Sequence, residues 1–201
     1  MEKSYINKFI RLILGFIVLG MGVGLMLFTN RGVDPASVLS TGVAKQFNTS
    51  FGMGNGLVNI VILAVIFFVD KSYINIASIL SMFIMGPFVD ITMKGLNSLA
   101  FMKVLVSNFY ISLLLVVLAS FIMSVGLNLY SSAKLGFGAI DILSEILTDR
   151  IGVNYKYIRT AMDVLVVIIG YLLGGSFGLG TIIVSLTFGF MVSLTRDYIE
   201  K

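Results

Sequence analysis

The stretch GVGLMLFTNRGVDPASVLSTG (22–42) has a counterpart in GLNLYSSAKLGFGAIDILSEI (126–146), at a constant offset of 104 residues. Gly22 falls on Gly126, Leu25 on Leu129, Gly32 on Gly136, and Leu39-Ser40 on Leu143-Ser144. The register runs from 22–61 over 126–165 and sets Asn59 on Asp163. After a one-residue gap it reaches Gly86 over Gly189. A repeat of this length makes the chain two copies of one structural unit.

Composition says where those copies sit. Of 201 residues, 58% are hydrophobic and the mean hydropathy is +1.03. Fourteen Lys and Arg and ten Asp and Glu are too few to clothe a water-soluble surface of this size. The chain reads as a polytopic membrane protein, a single transmembrane domain over 1–201, with the lipid bilayer as its surround. The polar, basic start MEKSYINKFIRL leads into an apolar run long enough to span, so it reads as a first span and not a cleavable signal. The net charge of +4 reads as membrane topology, not as affinity for nucleic acid.

Cysteine and histidine are both absent. That excludes disulfides, thiolate nucleophiles, the usual zinc sites and histidine acid–base chemistry. With no convergent acid–base set either, no enzyme is expected, and no catalytic residue, metal or cofactor. GGSFGLG (174–180) lies between apolar runs without a following lysine, so it is no phosphate loop. Any nucleotide-driven energy must come from a partner.

Six apolar runs, at about 7–29, 51–69, 73–93, 104–130, 157–174 and 177–195, each meet the roughly 18–20 residues a membrane-crossing helix needs. Helices are expected because lipid offers backbone groups no partners. Two shorter segments, 33–47 and 137–151, follow the first and fourth runs and read as interfacial or re-entrant helices. Asp34 and Pro35 open the first, as cap and first helical residue; Gly136 and Gly138 open the second. The expected fold is therefore all-α, with six transmembrane helices as two three-helix repeats, 7–93 and 104–195. An odd number of spans per copy turns the second upside down relative to the first. With both termini in the cytoplasm, ten basic residues fall inside, Lys3 and Lys201 among them, and four outside.

Chemistry is sought where the copies match. Asp163 lies about two turns into the fifth run, and Asn59 lies at the same depth of the second. A carboxylate at that depth faces protein or water, either at a solute or ion site or in an ion pair with Arg159 four residues earlier. Asp34 and Asp141, on the short segments, are candidates for the same site, with helix capping the plainer role of Asp34. Asn128, opposite Gly24, is a further candidate, with a hydrogen bond across helices as its alternative. Asp90 is expected near the interface, and Tyr110, Tyr130, Tyr155 and Tyr157 as interface anchors in a chain without tryptophan.

These segments resemble the YczE/YitT-type bacterial integral membrane proteins. Gly32, Pro35 and Leu39 fit that group's turn after a glycine-rich first helix. Ser37 stands where an aspartate is common, and Asp141 restores it in LGFGAIDIL (135–143). IMGPFVD (84–90) and GGSFGLGT (174–181) resemble the group's third-helix ending and last-helix entry. The resemblance implies a bacterial inner-membrane protein and names no activity.

The expected function is a small-solute transporter or channel with a midplane site between inverted repeats, acting alone, as a homo-oligomer or with an energising partner. The alternative is a non-transporting assembly or sensor subunit that docks partner helices.

Overall fold

A computed structural model describes residues 2–199; Lys201 and the side chain of Lys3, counted above among the inner basic residues, lie outside what it describes. The described residues form helices α1 (Glu2–Thr29), α2 (Pro35–Gln46), α3 (Phe51–Asp70), α4 (Ile76–Ser98), α5 (Ala100–Ser107), α6 (Phe109–Ser132), α7 (Ala139–Ile151), α8 (Tyr155–Leu172) and α9 (Leu179–Ile199). A short 3-10 turn, Lys71–Tyr73, joins α3 to α4, and no strand occurs among these residues.

Five helices, α1, α3, α4, α6 and α9, are long and apolar enough to cross a membrane. Their outward faces expose Phe68, Leu114 and Leu186, apolar side chains that lipid covers. The 18-residue α8 has the length but carries Lys156, Arg159 and Asp163. The run 104–130, read above as one span, is broken at Asn108. The Asn108 side chain accepts the N–H groups of Tyr110 and Ile111 at 3.0 and 3.2 Å and so caps a new helix. An amide that bonds its own backbone competes with helix continuation and wins here.

The offset of 104 recurs in the backbone. Asn30 and Lys134 share a φ of 52° and 53°, Gly32 and Gly136 of 107° and 118°, and Asn48 and Gly152 of 50° and 73°. α2 and α7 start at Pro35 and Ala139, and α3 and α8 at Phe51 and Tyr155, again matched positions. Gly32 and Gly136 occupy backbone angles that a side chain resists. Each also sits in a tight joint, Gly32 against Gly178 and Gly136 against Asn75. Asp34 caps α2 as expected, its Oδ2 accepting the N–H of Ser37 at 3.2 Å.

The copies meet along α1 and α6. A Cβ on Gly22 would stand 2.6 Å from Met123 Cγ and 3.0 Å from the Ala119 carbonyl. A Cβ on Gly126 would run into Leu19 and the Gly15 carbonyl. Leu19 matches Met123 and Gly15 matches Ala119, so this is one contact made twice. Contacts that climb α1 descend α6, and the two equivalent helices run antiparallel. Two crossed contacts flank them. α2 packs on α8, where Gly42 lies against Gly170, and α7 packs on α3, where Ile142 and Ile146 bury Ile66. Gln46 Nε2 donates to the Leu173 carbonyl at 3.1 Å, and Arg150 Nη2 donates to the Val69 carbonyl at 3.0 Å. These are matched donors and matched acceptors.

Gly22→Val and Gly126→Val are each expected to cost about 1–3 kcal/mol by overpacking this joint. Gly56→Ala, where an added Cβ meets nothing, should move stability by no more than about 0.5 kcal/mol. Thermal unfolding in detergent, followed by circular dichroism, checks both.

Candidate functional site

Between the two copies lies a cavity of about 150 Å³. Phe16, Leu19, Val58, Met85 and Leu127 form its apolar wall, and polar side chains come from both copies. From the first come Asp34, Ser37, Ser40, Asn55, Asn59 and Ser81, and from the second Tyr130, Asp141 and Arg159. The short helices carry these groups inward. α2 buries Ser37 and Ser40, and the first turn of α7 presents Asp141.

The polar groups fall into two matched sets. Ser37 lies on Asp141, Asn55 on Arg159, and Asn59 on Asp163 in the 104-residue register. In the second copy the set is ionic. Arg159 Nε donates to Asp141 Oδ1 at 3.0 Å, and its Nη1 donates to Asp163 Oδ1. The local pair weighed for Asp163 is therefore formed, and the same guanidinium also ties α8 to α7. The side chains of Arg159, Asp141 and Asp163 remain 28%, 26% and 32% exposed. In the first copy the set is neutral. Asn59 Nδ2 donates to the Asn55 carbonyl at 2.8 Å, and Ser40 Oγ reaches Asn55 Oδ1 at 3.3 Å. Ser40–Asn55 thus ties α2 to α3 as Asp141–Arg159 ties α7 to α8.

Two buried side-chain polar atoms have no hydrogen-bond partner among the described residues, Asp34 Oδ1 and Asn55 Nδ2. Both belong to residues of the cavity wall, and Asn55 is only 7% exposed. Leaving a buried donor or acceptor unpaired costs about 1–3 kcal/mol, more for a charged group. The cavity region carries three carboxylates, of Asp34, Asp141 and Asp163, against the one guanidinium of Arg159.

Of the five residues singled out in the sequence, Asn59, Asp141 and Asp34 line the cavity, and Asp163 is joined to it through Arg159. Asn128 is not in the wall. Its Nδ2 donates to the Val192 carbonyl and to Thr195 Oγ1, both at 2.7 Å, and pins α6 to α9. The matched joint in the first copy has Gly24 pressed on Val89 and Thr92. Asp90 accepts from Ser50 Oγ at 2.6 Å and ties the start of α3 to α4. Tyr130 is no interface anchor. It is buried and stacks on Phe16 with ring centroids 4.9 Å apart, in room left by Gly15. Sequence reasoning passed over Asn55 and Ser40; the position of Asn55 opposite Arg159 in the repeat was the signal for it.

Comparison with known proteins places the chain in its family. It is 28% identical over 190 residues to an uncharacterised protein of Haemophilus influenzae, covering 94% of this chain and 84% of that one. It is 23% identical over 193 residues to the uncharacterised membrane protein YczE of Bacillus subtilis, covering 96% of this chain and 86% of that one. No solved structure matches. Residues 6–197 match the model of a family of unknown function, DUF6198, and the chain belongs to this family of YczE-type membrane proteins.

Proposed function

We propose that this protein carries a small solute across the membrane, held in the cavity between two inverted copies and exposed to each side in turn. One observation carries the reading. Matched polar side chains of both copies converge on one cavity and leave a donor and an acceptor there unpaired. Inverted-repeat transporters place their sites at the same kind of interface.

The fold lends further support. The antiparallel run of α1 and α6 is what an upside-down second copy requires. α8 serves as the sixth span in this reading, because Arg159 and Asp163 spend their charges on each other and on Asp141 and not on lipid. Six spans put both termini on one side, the cytoplasmic side by the distribution of basic residues. The crossed contacts α2–α8 and α7–α3 would be the two gates, each latched by its own side chain on a carbonyl. Glycines close the first tightly, whereas isoleucines hold the second apart.

Purified protein in proteoliposomes is expected to speed the entry of at least one class in a panel of radiolabelled amines, amino acids, monocarboxylates and polyols. Asp34→Asn/Asp141→Asn should lower that rate at least about tenfold. Entry of every solute at the protein-free rate, together with stoichiometric co-purification of another membrane protein, would overturn the carrier and favour an assembly or sensor subunit.

The ionic set gives a second expectation. Arg159→Asn alone strands Asp141 and Asp163 and should cost about 1–3 kcal/mol of stability. The triple change Asp141→Ser/Arg159→Asn/Asp163→Asn, which copies the neutral set of the first repeat, should cost less than the single change. Melting temperatures of the two variants in one detergent decide the order.

A further inference from the structure

We infer that the solute is a small organic cation, a primary ammonium with a hydrogen-bond acceptor a few atoms away. The inference rests on the carrier reading and deepens it.

Charge sets the sign. The three carboxylates near the cavity outnumber its single guanidinium, and Arg159 already donates to both Asp141 and Asp163. An anion entering here would meet no unpaired guanidinium and would face the Asp34 carboxyl. Asp34 makes no ion pair among the described residues, and burial pushes its carboxyl above the ordinary carboxylate range; its Oδ2 caps α2 on the Ser37 N–H, and its Oδ1 is unpaired. An ammonium, which carries three donors and no acceptor, supplies what that oxygen lacks.

The second polar point sets the functional group. The Asn55 amide spends one end on Ser40 and leaves Nδ2 as an unpaired donor inside a side chain that is 93% enclosed, being only 7% exposed. An oxygen acceptor on the ligand, whether hydroxyl, carbonyl or carboxylate, satisfies it. A bare metal ion would leave this donor without a partner, and among the described residues no three acidic, His or Cys side chains gather to hold one.

Size sets the limit. The cavity measures about 150 Å³. An apolar cavity of about that volume holds one benzene. The ligand is therefore of that order, with its carbon atoms against Phe16, Leu19 and Met85.

Three probes of nearly equal size and different charge test this: 2-aminoethanol, ethylene glycol and glycolate, added to the purified protein at matched ionic strength while thermal unfolding is followed by circular dichroism. Only 2-aminoethanol is expected to raise the melting temperature, because a ligand that prefers the folded state stabilises it. Asp34→Asn keeps the helix cap and loses the charge. It should weaken the apparent affinity for 2-aminoethanol about tenfold to a hundredfold. Asn55→Ser provides a second arm. It should weaken 2-aminoethanol and leave methylammonium, which has no oxygen, within about twofold.

Stabilisation by glycolate or ethylene glycol equal to that by 2-aminoethanol would overturn the cation and leave the carrier standing. An undiminished response in Asp34→Asn would overturn the assigned contact. No response to any probe, with proteoliposome flux of a non-cationic solute retained, would also overturn the cation. No response to any probe and no flux of any solute would overturn both readings.

Discussion

The packing of α1 against α6 through Gly22 and Gly126 is the contact on which the rest of the molecule depends. In lipid, helices gain little from burying apolar surface against each other, since the surround is equally apolar. They gain from close contact, and the absence of a Cβ at both positions allows it. The two helices run antiparallel, with Gly22 on Met123 and Ala119 and Gly126 on Leu19 and Gly15. α4 lies beside α1 and α9 beside α6, while each short helix crosses to a long helix of the opposite copy.

The backbone turns match across the 104-residue offset and the side chains do not. The joint that presses Gly24 on Val89 and Thr92 in one copy is held by the Asn128 amide in the other. The crossed contact closed by Gly42 and Gly170 is filled elsewhere by Ile146 and Ile66. Ser37, Asn55 and Asn59 are answered by Asp141, Arg159 and Asp163. The cavity therefore meets a neutral set at Ser37, Asn55 and Asn59 and an ionic set at Asp141, Arg159 and Asp163, with the carboxyl of Asp34 beside the neutral one. The charge density that makes α8 a poor span by composition is the same feature that makes its inner face chemically distinct.

Much of this was legible along the chain. The offset of 104 located both turns, both short helices and the matched positions, because Gly32 and Gly136 answer to a backbone angle that belongs to the single residue. Asp34 and Pro35 announced the start of α2 for the same local reason. The break at Asn108 was missed, since an apolar run says nothing of an amide that caps its own successor. Tyr130 was misread because its burial depends on Gly15, which lies more than a hundred positions away in sequence.

The sequence by itself determined the membrane class and the positions that match across the 104-residue offset, since hydropathy, glycine turns and sequence register are properties of a linear string. Only the tertiary structure decided which matched residues share a cavity. Asn128 was turned to α9 and removed from the site, while Asn55 was brought into it. Asp34 Oδ1 and Asn55 Nδ2 were left unpaired in a common wall. Whether a polar atom is satisfied depends on what other helices bring within hydrogen-bond reach, and no spacing along one chain contains that distance.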